Sequence, residues 1–372
     1  MYIFVLLMRS VTTLFFVFFS WHAVAQLKQM NWGIDYRQKA GFLIAHRGAL
    51  GHLPQDHAFA GELSFFMRTK GRKQWHQACG FPYLGVTFFG GSVGNNKILG
   101  KHWGIFGFSE FPFIRSKHYE LLFKLGSGLG YSPNVFDGIY NPKNTGISSR
   151  INILVSMALK SSFIFKRSNL SLSIDLTHFS NAATSMPNHG INVPYISLGY
   201  GYTIHEAPSD TSYAPTVFPF RKWLINTTFI GSWREIFPTG GKKYPIFGVS
   251  TSLRRFVKPK LGYEISFDLM SKQSVIDYTP QIQKTQWDIL QMGLYVGYLA
   301  PLDQFHFLLG MGVYIKDKYR LDDPLYHRLG IRYYFKNGLN MNLTLKSHWA
   351  KADYAELGLG YTFNFRKKCA RN

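Results

Sequence analysis

The chain has 372 residues, with 42 Lys and Arg against 20 Asp and Glu, a formal net charge of +22. Charged residues reach only 17%, where an ordinary soluble domain carries about 25%, while aromatic residues make up another 17% and glycines number 35. The aromatic content excludes a disordered chain, and a mean hydropathy near zero argues against a helical membrane protein, which needs apolar runs of about 20 residues. Two cysteines, Cys79 and Cys369, cannot build a disulfide scaffold or a structural zinc site.

In chain order, residues 1–25 read as an export signal. Arg9 is followed by the apolar and aromatic stretch Val11–Trp21, and Ala23-Val24-Ala25 precedes Gln26 as a small-x-small cleavage site. Apolar residues precede Arg9, and a start at Met8 gives the more ordinary order of charge, apolar core and cleavage site. Beyond the signal a period of two recurs. Tyr119, Leu121, Phe123 and Leu125 alternate with Glu120, Leu122, Lys124 and Gly126; Leu261, Tyr263, Ile265, Phe267 and Leu269 alternate with Gly262, Glu264, Ser266, Asp268 and Met270. Successive side chains of a strand point to opposite faces, so this alternation predicts strands. Sixteen are predicted, starting near Gly41, Ala58, Pro82, Leu99, His118, Arg150, Asn169, Asn192, Arg221, Tyr244, Lys260, Gln286, Gln304, Arg328, Leu339 and Ala355.

Short connections (115–117, 166–168, 257–259, 336–338) alternate with long ones (132–149, 271–284, 316–327), although 71–81 and 206–220 are long on the short side. A soluble β-sandwich has no reason to alternate in this way, whereas outer-membrane barrels have short periplasmic turns and long outer loops. Strand faces that are apolar on one side and carry Gly, Ser, Asn, Glu or Lys on the other suit a lipid-facing wall around a polar lumen. The last strand agrees, with Leu357, Leu359, Tyr361, Phe363 and Phe365 on one face. The fold class is therefore an all-β, antiparallel transmembrane barrel of the outer membrane. It has about 14–16 strands, or eight strands plus a further β region; residues 206–372 are expected to join the same barrel. Cys79 and Cys369 fall on the periplasmic side, where a disulfide is permitted; two unpaired thiols are the competing reading.

One hairpin carries chemistry. Leu172, Ile174, Leu176, His178 and Ser180 share an apolar, lipid-facing strand face, and on the next strand Asn192 tops the stripe of Pro194, Ile196, Leu198 and Tyr200. An i, i+2 pair on one face brings a His nitrogen toward a Ser hydroxyl, and the hairpin partner sets Asn192 beside them. This constellation suits a serine esterase, with Ser180 the nucleophile, His178 its general base and a third residue orienting the imidazole. The alternative is a pair of interfacial polar residues capping a strand.

The run His178-Phe179-Ser180-Asn181, then Asn188, Gly190 and Asn192, resembles the signature of the lipid A 3-O-deacylase (PagL) family: His-x-Ser-Asn, then Asn-x-Gly, then an acid. The likeness spans about Trp32–Tyr202, within a deacylase-like region at 26–205, and leaves the later strands outside it. It implies an eight-stranded outer-membrane barrel that hydrolyses an ester-linked acyl chain of lipid A, with lipopolysaccharide as partner and no cofactor. It also implies Ser180 as nucleophile, His178 as base, and Asn181, Asn188 and Gly190 in oxyanion support or loop ordering. The family's acid falls on Asn192. An Asn carbonyl still accepts from the imidazole, as in Cys-His-Asn enzymes, but brings no charge to the imidazolium. Thirteen scattered His show no metal-ligand spacing, and the exported barrel makes nucleic acid an improbable partner for the positive charge. Lys and Arg in loops and rims suit anionic lipid phosphates. The rival reading is a porin-like or lipopolysaccharide-binding barrel without chemistry.

Overall fold

The computed structural model describes residues 31–206, 223–236, 239–277, 283–319, 323–349 and 351–363. The expected export signal and Cys369 lie outside them. Among the described residues sixteen antiparallel strands form. The first eight are β1 (Asn31–Phe42), β2 (His57–Arg68), β3 (Tyr83–Ser92), β4 (Lys101–Arg115), β5 (Tyr119–Tyr131), β6 (Ile151–Phe165), β7 (Ser168–Ser180) and β8 (Ile191–His205). The second set is β9 (Trp223–Glu235), β10 (Lys243–Lys258), β11 (Leu261–Lys272), β12 (Leu290–Leu302), β13 (Phe305–Lys316), β14 (Leu325–Tyr334), β15 (Leu339–His348) and β16 (Lys351–Phe363).

These strands make two closed barrels of eight, which corrects the expectation that residues beyond 206 join the first. β1 pairs with β2 from Asn31↔Arg68 to Phe42↔His57, and with β8 from Trp32↔His205 to Gly41↔Tyr195. That second pairing removes the last free edge, so β9 has nothing to add to. It pairs with β10 and β16 instead, closing a second sheet. Alternation within a strand reports which face is apolar but not where a sheet closes. The first strand is a second correction: the sequence places its start near Gly41, whereas β1 ends at Phe42. Asp35, Arg37 and Lys39 are all buried in the lumen, and a charge at every second residue disguises a strand whose inner face is ionic.

The face assignment holds in both barrels. Ile174, Leu198, Phe229, Ile265, Phe267, Leu359 and Tyr361 are exposed on the outer walls, and Glu120, Glu264 and Asp268 are buried inside. A charge at the midplane of a lipid face costs about 2–4 kcal/mol, so the charges turn inward and pair. In the first lumen Arg37 reaches Asp35 (3.1 Å), Glu110 (3.5 Å) and Glu62 (3.7 Å), while Lys39 and Lys124 hold Glu62 at 2.6 and 3.1 Å and Lys160 holds Glu110 at 2.8 Å. In the second, Arg328 holds Glu356 through Nε at 2.6 Å and Asp268 through Nη1 at 2.9 Å, and Arg332 binds Glu264 at 2.9 Å. An eight-stranded barrel is just wide enough for side chains to fill. Lumens filled by paired charges give the porin-like reading no physical support.

Apolar side chains close the loop end of the first barrel. Leu50, Leu53, Val93, Leu99, Ile147, Phe179, Ile191 and Val193 are fully buried there in one cluster. Cys79 sits at the opposite end, in the connection between β2 and β3.

The ionic lumen gives a stability test. Arg328→Met strips Asp268 and Glu356 of their shared cation, and breaking a buried pair from one side costs about 3–5 kcal/mol. We expect the urea midpoint of the second barrel to fall markedly; an unchanged midpoint would contradict the ionic account of its interior.

Candidate active site

Phe179 sets the site. It points into the first lumen, where its ring meets His102 edge-on at 4.9 Å and Phe89 at 5.7 Å between centroids. A Cβ at Gly130 would lie 2.5 Å from the Phe179 ring, so the glycine opens the space the ring fills. With Phe179 fixed inward, strand geometry turns His178 and Ser180 outward. The register then selects their neighbours: Ser180 faces Ile153 on β6, and His178 faces Val155 on β6 and Asn192 on β8.

The connection 181–190 folds back over this edge. The Asn181 amide N–H donates to Asn188 Oδ1 at 3.1 Å, and Asn181 Nδ2 donates to the Ser185 carbonyl at 3.0 Å and to Ser148 Oγ at 3.2 Å. Thr184 Oγ1 donates to the Asn181 carbonyl at 2.9 Å, and the Gly190 N–H donates to the Gly146 carbonyl at 2.9 Å. Of the two roles expected for Asn181, Asn188 and Gly190, these bonds are those of loop ordering. Gly190 adopts φ +79°, and a Cβ there would approach His178 Cε1 to 2.9 Å. Only glycine meets both conditions, which accounts for the second half of the Asn-x-Gly element.

The polar side chains form one chain of hydrogen bonds. His178 Nε2 lies 2.9 Å from Ser180 Oγ, and His178 Nδ1 lies 2.5 Å from Asn192 Oδ1. A carbonyl only accepts, so Nδ1 carries the proton and Nε2 is left to accept from the serine hydroxyl. Ser180 is 7% exposed beneath the loop. Asp175, the nearest acid by sequence, is buried in the lumen with Lys39 at 3.3 Å, as the strand phase implies.

The structure adds a residue that the sequence does not announce. Asn192 Nδ2 lies against the His46 ring, 3.1 Å from Nδ1 and 3.5 Å from Nε2, and His46 Nε2 lies 3.0 Å from the His189 carbonyl. His46 arrives because the chain beyond β1 stays beside β8, with the Ile44 N–H donating to the Asn192 carbonyl at 2.9 Å. No motif marks it; only this backbone pairing brings it in. Burial, reinforced by the charge of Arg47, lowers the pKa of the neighbouring His189 imidazole below its ordinary value.

Residues 60–203 match a family model described as lipid A 3-O-deacylase (PagL), and residues 223–365 match one described as acyloxyacyl hydrolase, C-terminal domain. The chain belongs to the lipid A 3-O-deacylase family. Membership makes it a hydrolase of lipid A esters, and family and barrel fold together point to the bacterial outer membrane. The first model contains His178, Ser180 and Asn192, and the second begins where β9 begins. A triple mutant of the Rhodopseudomonas blastica porin aligns at 7% identity and a TM-score of 0.17, over 90% of this chain and 100% of the porin. The NanC porin gives 7% identity and 0.17 over 90% of this chain and 99% of its own. Likeness at that score carries no weight. No curated protein sequence matches the chain.

Gly190→Ala tests how tightly the loop seats the imidazole. Misplacing a catalytic group by about 1 Å costs about a hundredfold, so we expect deacylation of lipid A to fall at least tenfold while the barrel keeps its heat-modifiable gel mobility. Full activity would show that the loop does not position His178.

Proposed function

We propose that the chain removes the 3-O-linked acyl chain of lipid A in the outer leaflet, with Ser180 as nucleophile. Ser180 Oγ attacks the ester carbonyl carbon as its proton passes to His178 Nε2. The tetrahedral intermediate collapses, the sugar oxygen leaves with that proton, and the acyl group stays on Ser180. Water then attacks the acyl-enzyme, giving its proton to His178, and the free fatty acid departs as Ser180 regains its hydrogen. Asn192 Oδ1 holds the imidazole in the tautomer this sequence needs.

The observation that carries the reading is the Ser180–His178–Asn192 chain of hydrogen bonds on the lipid side of the wall, at 2.9 and 2.5 Å. A soluble esterase presents such a group to water. Here it sits at the loop end of a stripe formed by Ile174, Ile196 and Leu198, all more than half exposed to the surroundings of the barrel. A substrate reaching it lies beside the barrel, as an acyl chain in a leaflet does. The 3-O position rests on the family likeness of the His-x-Ser-Asn stretch.

Expression in a Gram-negative host followed by mass spectrometry of its lipid A tests the reading. Ser180→Ala and His178→Ala should each abolish release of the 3-O-linked chain while leaving the folded barrel's mobility unchanged. Asn192→Glu, which restores the family's acid, should raise the rate, because a carboxylate stabilises the imidazolium formed as Ser180 attacks. A gain of tenfold corresponds to about 1.4 kcal/mol of barrier. Retained activity in Ser180→Ala would sink the assignment of the nucleophile.

A further inference from the structure

The outer wall of β2–β4 carries two adjoining hollows. One is an apolar groove of about 680 Å³ whose floor includes the cross-strand pair Gly61 and Gly90. Trp103 lies against one side of it, since a Cβ on Gly90 would come within 2.5 Å of its ring. The Tyr36 hydroxyl stands on the other, 3.3 Å from where a Gly61 Cβ would lie. Leu63, Phe88 and Ile105 extend the groove and are exposed. The other hollow, of about 360 Å³, shares Gly90 and Trp103 with the first and adds His57, Asn96 and Lys101. None of the described residues that line it is acidic.

The register fixes how these hollows stand in the membrane. Directly paired residues, followed once round the wall from Ser180 through Ile153 on β6 and Tyr36 on β1, return to β7 at Leu170, ten residues nearer its short-turn end. Each step from β7 toward β2 therefore descends into the membrane. On β4 this path passes Ile105, and Lys101 lies four residues above it, toward the loops. With strands about 4.8 Å apart, a rise of about 3.3 Å per residue and a tilt of about 40°, the descent over three strands and the rise over four residues cancel. Lys101 is thus level with Ser180 but about 20 Å round the wall, and by the same geometry Gly90 lies about 8 Å directly below Lys101. We propose that this wall is a second, non-catalytic site for lipid A, with a phosphate at Lys101 and His57 and an acyl chain descending into the groove over Gly61 and Gly90. A cationic hollow directly above an apolar one matches an amphiphile standing in the leaflet with its anionic end toward the loops. A bare groove would take any chain; the lysine and the lack of acids select an anionic lipid, and lipid A is the lipid on which the family acts. The separation from Ser180 makes this a second molecule, not the one undergoing hydrolysis. The site is independent of the chemistry proposed for Ser180.

The test is photolabelling of the full-length, detergent-solubilised protein, with adducts mapped by peptide mass spectrometry. One probe is lipid A carrying a diazirine in an amide-linked acyl chain, which ester hydrolysis does not release; the other is the same molecule with its phosphates removed. The phosphorylated probe should label β3 and β4 at Phe88, Trp103 or Ile105. The dephosphorylated probe should label them at least about fivefold less, the worth of one basic residue beside an anionic lipid. Lys101→Glu should cause the same loss with the phosphorylated probe. Gly61→Leu fills the trough with a side chain that a lipid-facing wall accepts, and should also lower labelling there. Both variants should keep the native barrel's heat-modifiable mobility and leave labelling of the wall around Ile174 and Leu198 unchanged. Equal labelling of β3 and β4 by the two probes would mean ordinary lipid contact and overturn the proposal, as would an absence of adducts there or labelling that survives either substitution. Should a variant fail to fold, the comparison of the two probes on the native protein decides.

Discussion

Lipid offers no partner for a backbone N–H or carbonyl, and everything else in this chain follows from how that constraint is met. Pairing of β8 with β1 closes the first sheet after eight strands. Closure fixes the register, the register fixes the phase, and the phase decides which side of the wall each side chain occupies. Charges go inward, where Arg37 sits among Asp35, Glu62 and Glu110. Apolar residues go outward. His178 and Ser180 belong to the outward phase, so their side chains lie on the lipid side, and Phe179 between them is the inward anchor that keeps them there. A one-residue slip of β7 would reverse all three.

The proposed site departs from the usual serine-hydrolase arrangement in its electrostatics. In a triad with an acid, the carboxylate both orients the imidazole and answers the charge it acquires. Asn192 can perform only the first task, and the hydrogen-bonded chain from Asn192 to Ser180 carries no anion. At a lipid boundary, where burying an unpaired charge is costly, a neutral chain avoids holding a carboxylate against the membrane. It gives up transition-state charge stabilisation in return.

The face of each strand was legible in the sequence because alternation records the solvent on each side. Ile265 and Phe267 outward, with Glu264 and Asp268 inward, needed no tertiary knowledge. The same logic placed His178, Ser180 and Asn192 on one face of a hairpin. Three features escaped it. Closure into two barrels depends on pairings between strands far apart in the chain, which a local period does not contain; most of β1 was hidden because Asp35, Arg37 and Lys39 put a charge at every second residue of a strand with an ionic inner face. His46 was invisible for a third reason. It comes from a loop with no periodicity and meets Asn192 through a single stretch of backbone, the Ile44 N–H on the Asn192 carbonyl.

The central claim is that an outward-facing Ser180 is activated as a nucleophile at the lipid boundary. Labelling of the detergent-solubilised protein with a long-chain alkyl fluorophosphonate tests it most directly, since such a reagent captures a serine whose proton is removed by a positioned base. Peptide mapping by mass spectrometry should find one adduct, on Ser180. Absence of an adduct, or its appearance on another serine with Ser180 unmodified, would contradict the account.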